Sequence, residues 1–140
     1  ERRPEPTLAL RVGAIVAARV REELTRAGVA QADQRVTVKP PNDVLIDGRK
    51  VAGILIEVIP TAPGAEGREG GGFVVLAGIG VNVANRSHDA PEDLRGLVTS
   101  LAEQVGRGSV LEPGALAEDL AGRLLRALDR AHEADLNAGA

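Results

Sequence analysis

Two clusters of polar side chains lie close together in the sequence and are of the types that bind charged ligands and metal ions. Asn42 and Asp43 follow a pair of prolines, and Arg49 and Lys50 follow a short turn. An aspartate can hold Mg²⁺, an asparagine offers both a donor and an acceptor, and a lysine stabilises charge that builds on a phosphate. Adjacent strand residues point to opposite faces, so only one of Arg49 and Lys50 can enter a given site.

Ordinary structural roles compete with this interpretation. Asparagine and aspartate commonly hydrogen-bond their own backbone in loops, so for Asn42 and Asp43 the two roles are about equally supported. For Lys50, spacing alone favours an exposed lysine after a hairpin turn. His88 and His132 lack the spacing of metal ligands, and no serine, cysteine or histidine constellation indicates a covalent nucleophile.

The elements that must position these side chains are short strands joined by turns. The predicted strands are β-branched or apolar runs at residues 35–38, 44–46, 49–58 and 73–77. Pro40 and Pro41 cannot continue the first strand, and Asp47-Gly48 is a strong signal for a type I′ hairpin turn. The last run is apolar without interruption, so we expect a strand covered on both faces.

Helices are predicted on both sides of these strands. Apolar residues spaced four apart predict a long amphipathic helix that stops near Gly28 and a second long helix that begins near Pro113. A capping box at Ser100 predicts a short helix between them. Residues 60–72 are rich in Gly and Pro and predict a flexible loop. The fold class is therefore α+β, with an antiparallel or mixed sheet covered by helices on one face.

The composition limits the class of protein. The chain has 140 residues, 44% hydrophobic and 26% charged, as in one globular domain or part of one. A net charge of -3 provides no field for nucleic acid, and no run predicts a membrane span or signal peptide. The absence of cysteine excludes disulfides and fits a cytoplasmic protein. With Phe73 as its single aromatic residue, the chain cannot build a stacking platform for a ring ligand alone.

The order of the motifs resembles that of the biotin–protein ligases, enzymes that activate biotin with ATP and attach it to a lysine of a carrier protein. The matching runs are Lys39-Pro40-Pro41-Asn42-Asp43, Arg49-Lys50-Val51-Ala52-Gly53-Ile54-Leu55, Gly78-Ile79-Gly80-Val81-Asn82-Val83 and Thr99-Ser100-Leu101. Several motifs in the right order are far more specific than any one of them. The resemblance implies the class II synthetase-like biotin/lipoate ligase fold, in part.

The resemblance also implies a role for individual residues. It assigns the catalytic role to Lys50, which would contact the biotin carboxylate and the adenylate phosphate, and it assigns Gly53 and Leu55 to the biotin pocket. The implied nucleotide-binding residues are Lys39, Asn42, Asp43, Gly78, Gly80, Asn82 and Arg86. Asp43 is also the candidate ligand for Mg²⁺.

The implied reaction consumes ATP and biotin in the presence of Mg²⁺. Biotin is adenylated and then transferred to a lysine of a biotin carboxyl carrier protein domain, which is the implied partner. The resemblance leaves a homodimer open, and nothing in this chain points to nucleic acid or a membrane as a partner.

Parts of the family pattern have no counterpart in the sequence. The Gly-Arg-rich loop that folds over biotin, the first strands and the small C-terminal β domain have none, and Pro40 stands where the family has tryptophan. Since the chain also begins with Glu1, we expect residues 1–140 to be the C-terminal part of a ligase catalytic domain that supplies only part of the active site. Two alternatives stay open, namely a lipoate or octanoyl ligase or transferase of the same superfamily, and a non-catalytic binding or assembly module.

Overall fold

The computed structural model describes residues 6–64 and 71–138, with side chains for residues 8–64 and 71–130. The elements in chain order are α1 (Pro6–Arg26), α2 (Ala32–Arg35), β1 (Val36–Lys39), β2 (Asp43–Ile46), β3 (Arg49–Pro60), β4 (Phe73–Val81), α3 (Leu101–Val105) and α4 (Pro113–Ala138). A 3₁₀ turn at Ser87–Asp89 precedes α3. The predicted α+β class is confirmed.

The four strands form one sheet in the order β1-β2-β3-β4. Each strand pairs antiparallel with the next along the chain. The β2–β3 hairpin turns at Asp47 and Gly48, whose φ angles of 49° and 77° are those that a type I′ turn requires. The sheet is therefore a simple meander in which every strand neighbours its successor.

Helix α1 covers one face of the sheet with its apolar stripe. Val12, Val16, Val20 and Leu24 are buried, as their spacing predicts. They pack in one core with strand residues that are also buried, namely Val36, Val44, Ile46, Ala52 and Ile54. Helix α1 leaves the opposite face of the sheet uncovered. Across the residues described, no helix has the length and apolar character needed to span a membrane.

The ends of the elements follow the signals in the sequence. Helix α1 is followed by Gly28 at a φ of 75°, the left-handed conformation that terminates many helices. The Ser100 side chain accepts a hydrogen bond from the Glu103 backbone N–H and caps α3. Of the predicted loop 60–72, residues 65–70 lie outside the described residues. At its ends, the Thr61 N–H donates to the Gly72 carbonyl at 2.8 Å and extends the β3–β4 pairing.

Ion pairs join α4 to α1. The Arg123 guanidinium donates to both Glu22 carboxylate oxygens at 2.8 and 2.7 Å and to Asp119 at 2.8 Å. Arg19 is buried, contacts Asp119 at 2.8 Å and donates to Glu23 at 2.6 Å. The hydrogen bond from Arg123 lowers the pKa of Glu22 below its ordinary value. Paired charges thus hold α4 to α1 beside the apolar contacts of Leu116 and Leu120.

Two predictions about the elements are wrong. Arg35 is not a strand residue, because residues 32–35 form the short helix α2 and β1 begins only at Val36. The run at residues 73–77 is not covered on both faces, since Phe73, Val74, Val75 and Leu76 are 38–50% exposed. Successive strand residues alternate between the two faces, so this end of β4, an edge strand, is exposed on both of them.

Candidate active site

The face of the sheet opposite α1, here called the open face, collects most of the residues that the motifs singled out. Residues paired directly across antiparallel strands point to the same face. Lys39 pairs with Asp43, Asp43 with Gly53, and Gly53 with Gly80, so these four form one row across the sheet. In the adjacent row, Leu55 pairs with Gly78.

A β-bulge brings Lys50 onto this open face. Leu45 pairs with Lys50 and Val44 pairs with Ala52, which leaves Val51 as an extra residue in β3. Val51 and Ala52 are consecutive and both buried, which strict alternation would not allow. Without the bulge, Lys50 and Gly53 would face opposite sides, since they are three positions apart.

Arg49 lies on the opposite face of β3 from Lys50. It pairs with Ile46, a buried residue on the face that α1 covers. The two neighbouring cations therefore lie on opposite faces of β3, and Lys50 is the one on the open face. The sequence offered no signal for the bulge that produces this arrangement, because the bulge depends on the register with β2.

Lys50, Asp43 and Gly53 form a close group on the open face. The Lys50 ammonium lies 2.8 Å from Asp43 Oδ1, and no other hydrogen-bond donor among the described residues reaches that oxygen. A Cβ atom at Gly53 would lie 3.0 Å from Lys50 Cε and 3.1 Å from its Nζ. Glycine at this position therefore makes room for the lysine side chain.

Gly53 and Gly80 form a floor that carries no side chains beside Lys50. The two glycines are paired directly, and a Cβ atom at Gly80 would meet nothing within 4 Å. Leu55 borders the floor and is 61% exposed. A flat ligand can lie against backbone of this kind, and an apolar ligand surface can pack on Leu55.

The segment that follows β4 returns to the strand that carries Lys50. The Lys50 N–H donates to the Leu97 carbonyl at 2.8 Å, and the Thr99 N–H donates to the Lys50 carbonyl at 2.9 Å. The Asn82 N–H donates to the Val51 carbonyl at 2.8 Å. The backbone around the bulge is thus fixed from both sides by residues outside the hairpin.

A cleft of about 430 Å³ lies within this returning segment. It is lined by Asn82, Asn85, Arg86, Ser87, Asp89, Ala90, Val98 and Thr99. The Asn82 amide NH₂ donates to the Thr99 carbonyl at 3.1 Å. An amide has two N–H groups and one carbonyl oxygen, so a donor and an acceptor remain for a ligand. Asn82 and Arg86, two of the predicted nucleotide residues, therefore share one cavity.

Asn42 lies in the loop before β2 and does not line the cleft at Asn82 and Arg86. Its carbonyl accepts from the Ile54 N–H at 2.8 Å, while the residue itself is exposed in the loop between β1 and β2. The backbone of Asn42 thus ties the proline loop to β3, and its predicted contact with the nucleotide stays a prediction. The peptide bond between Pro40 and Pro41 is cis.

Residues 99–103 have a second role beside starting α3, one that the capping-box pattern does not predict. The Glu103 carboxylate accepts hydrogen bonds from the Ser87 N–H at 2.7 Å, the Ser87 hydroxyl at 2.8 Å and the Thr99 hydroxyl at 3.1 Å. These bonds, that of the Ser87 N–H foremost, lower the pKa of Glu103. A glutamate at the third position of a capping box gave no signal for contacts with a loop 16 residues away.

A magnesium site would have to draw most of its ligands from the substrate. Among the side chains described, those of residues 8–64 and 71–130, no three His, Asp or Glu groups converge on one point. Mg²⁺ is commonly held by one or two carboxylates together with phosphate oxygens and water. Asp43, on the open face next to Lys50, fits the role of that single carboxylate.

Known proteins are similar to part of this chain. The sequence model of the biotin/lipoate A/B protein ligase family matches residues 4–70. The bifunctional ligase/repressor BirA of Bacillus spizizenii is 36% identical over 87 residues, which cover 59% of this chain and 25% of that protein. BirA of Bacillus subtilis is 38% identical over 69 residues, which cover 49% of this chain and 19% of that protein.

A third relative has a more specific name. The biotin–[acetyl-CoA-carboxylase] ligase of Paracoccus denitrificans is 37% identical over 87 residues, 62% of this chain and 33% of that protein. The chain thus spans no more than 33% of the length of these relatives. The family match includes α1 and the hairpin with Asp43, Lys50 and Gly53. Residues 4–70 are thus similar to the biotin/lipoate A/B protein ligase family.

Proposed function

We propose that this chain provides part of the active site of an ATP-dependent ligase that attaches biotin to a lysine of a carrier protein. The observation that carries the proposal is the position of Lys50, which lies on the open face beside the Gly53–Gly80 floor and 2.8 Å from Asp43. The family match and the names of the relatives support biotin as the substrate.

In the first step, a carboxylate oxygen of biotin attacks the α-phosphorus of ATP, and the bond to pyrophosphate breaks. Both reactants are negatively charged, and charge builds on the phosphate in the transition state. The ammonium of Lys50 can stabilise that charge if it turns from Asp43 toward the ligand. Mg²⁺, when bound with the nucleotide, would neutralise phosphate charge, and Asp43 is the residue that would hold it.

In the second step, the amine of a carrier lysine attacks the carbonyl carbon of the mixed anhydride, and AMP leaves. The acyl-adenylate is already activated, so the protein supplies mainly orientation and charge stabilisation. We assign Gly53 and Leu55 to biotin, and Gly80 together with the cleft at Asn82 and Arg86 to the nucleotide. Lys39 and Gly78, on the open face, would complete the phosphate and ring contacts.

We place this reaction in the cytoplasm, with a biotin carboxyl carrier protein domain as the partner. Residues 1–140 would form the C-terminal part of the catalytic domain. The family also includes lipoate ligases, so a lipoyl substrate is the alternative within the same chemistry. A non-catalytic module is the alternative of a different kind, and only a ligand-binding measurement separates it from an enzyme.

The experiment is calorimetric titration of the full-length gene product with biotinyl-sulfamoyl-adenosine, a non-hydrolysable mimic of the acyl-adenylate. We expect saturable binding that Lys50→Ala weakens by at least about tenfold, as expected when a charge-stabilising cation is lost. Arg49→Ala is the matched control, because it removes the adjacent cation that faces away from the site.

Three other outcomes would change the proposal. Tighter binding of the lipoyl analogue would favour the lipoate alternative. Equal losses in Lys50→Ala and Arg49→Ala would show that Lys50 acts only through overall charge. The absence of any binding by the wild-type protein would overturn the catalytic proposal and favour the non-catalytic module.

A further inference from the structure

A chain of side-chain hydrogen bonds begins at the hairpin that carries Lys50. The Arg35 guanidinium donates to Asp47 Oδ2 from Nε at 2.9 Å and from Nη2 at 2.6 Å, and thereby holds the turn. Arg35 Nη2 also donates to the Gln104 side-chain oxygen at 2.7 Å. The turn between β2 and β3 is therefore tied to α3 through Gln104, which lies 69 residues beyond Arg35 in sequence.

The same chain continues from α3 into the wall of the cleft. Gln104 Nε2 donates to the Thr99 hydroxyl at 2.9 Å, and that hydroxyl donates to Glu103 Oε2 at 3.1 Å. Thr99 is buried, Gln104 is half-buried and Glu103 is exposed, so the chain of bonds runs through a buried hydroxyl to the surface. Each group donates to the next in one direction, an arrangement in which hydrogen bonds strengthen one another.

Glu103 makes the last connection. Its other oxygen, Oε1, accepts from both the N–H and the hydroxyl of Ser87, the first residue of the 3₁₀ turn that lines the cleft. Hydrogen bonds to an ionised carboxylate are roughly twice as strong as neutral ones. A capping box requires only the contacts of Glu103 with residue 100. The bonds to Ser87 are additional to it, and they connect α3 to the 3₁₀ turn.

We propose that Glu103 and Gln104 are positioning residues, which fix the loop of the nucleotide cleft relative to Lys50. This inference rests on the proposed function. Neither side chain lines the cleft, whereas Ser87 and Thr99 do, so Glu103 and Gln104 act through those two residues. A phosphate held between the cleft and Lys50 requires both to keep their separation, and a displacement of about 1 Å can cost about 100-fold in rate.

The test measures two ligands on the full-length protein. We expect Glu103→Ala to weaken binding of biotinyl-sulfamoyl-adenosine by about tenfold and to leave the affinity for biotin alone within about twofold, because only the nucleotide part reaches the cleft. Glu103→Gln keeps one acceptor oxygen for Ser87, so its affinity for the adenylate mimic should lie between those of wild type and Glu103→Ala. Gln104→Ala should also weaken binding of the adenylate mimic.

Glu92→Ala is the control, since it removes a carboxylate from an exposed position in the same returning segment. Hydrogen exchange gives a second readout without ligand, and amides of residues 84–98 should exchange faster in Glu103→Ala than in Glu92→Ala. Equal losses of affinity for both ligands, or unchanged exchange in residues 84–98, would reduce Glu103 to a structural residue and overturn the inference.

Failure of the proposed function has a different signature. If wild-type protein binds neither ligand, the ligase proposal and this inference both fall. A second case is that wild-type protein binds the adenylate mimic and that Lys50→Ala weakens this binding whereas Glu103→Ala does not. That result would refute only the positioning role.

Discussion

Lys50 and Gly53 lie on the same face of β3, although they are three positions apart, because Val51 forms a bulge between them. The bulge lets the lysine side chain fold over Gly53 and reach Asp43 on the neighbouring strand. The site thus depends on one extra residue in one strand. A bulge of this kind redirects a side chain at the cost of one ladder position.

The first prediction concerns the space at Gly53. A methyl group there would lie 3.0 Å from Lys50 Cε, so Gly53→Ala must push the lysine away from Asp43. The atom displaced is at the far end of a flexible side chain, and we therefore expect a stability change within about 1 kcal/mol. The affinity for biotinyl-sulfamoyl-adenosine should fall by about tenfold or more, measured by calorimetry.

Gly114→Ala is the matched control for that change, because a Cβ atom there meets nothing within 4 Å and Gly114 lies in α4, away from the open face. Its ligand affinity should equal that of wild type. If Gly53→Ala also bound the ligand as wild type does, the close contact with Lys50 would have no part in the site.

The second prediction concerns the contact between α1 and the sheet. Leu24 is fully buried, whereas Leu125 on α4 is 63% exposed, and both are leucines in helices. Leu24→Ala should lower the free energy of unfolding by about 2–5 kcal/mol, since it removes buried methyl groups and leaves a cavity. Leu125→Ala should stay within about 0.5 kcal/mol of wild type.

Urea denaturation of the full-length protein measures both variants, with the midpoint compared at constant slope. A midpoint for Leu24→Ala equal to that of wild type would contradict the packing of α1 on the sheet.

Much of this architecture follows from local signals in the sequence. The spacing of apolar residues predicts α1 and α4, and Asp47-Gly48 predicts the hairpin, because each depends on neighbours within a few positions. The motifs also selected Lys39, Asp43, Gly53 and Gly80, which the pairing places in one row. Local pattern was sufficient wherever the structure is determined within one element or one turn.

The features that could not be predicted depend on distant partners. The bulge at Val51 arises from register with β2, and the exposure of β4 depends on what packs beside it. The contact of Gln104 with Arg35 joins residues 69 positions apart. Helix α2 follows Gln31, whose left-handed φ of 57° is rare for a residue other than glycine and leaves no trace in composition. Such features require the tertiary structure.

The last prediction concerns acid and the contact between α1 and α4. The hydrogen bond from Arg123 lowers the pKa of Glu22 below its ordinary value of 4.5. The unfolded chain therefore binds a proton at this carboxyl more readily than the folded chain. The stabilisation is complete above the ordinary pKa and is lost as the pH falls through the lowered one.

We expect Glu22→Gln to lower the Tm at pH 7 by no more than about 4 °C, since Glu22 is partly exposed and solvent screens the pair. The difference from wild type should shrink as the pH falls below 4.5, because the wild-type carboxyl then becomes neutral as well. Thermal unfolding at several pH values measures it, with Glu118→Gln on the exposed side of α4 as the matched charge change. A Tm difference that stays constant from pH 7 down to acid would mean that the charge of Glu22 does not contribute to holding the two helices together.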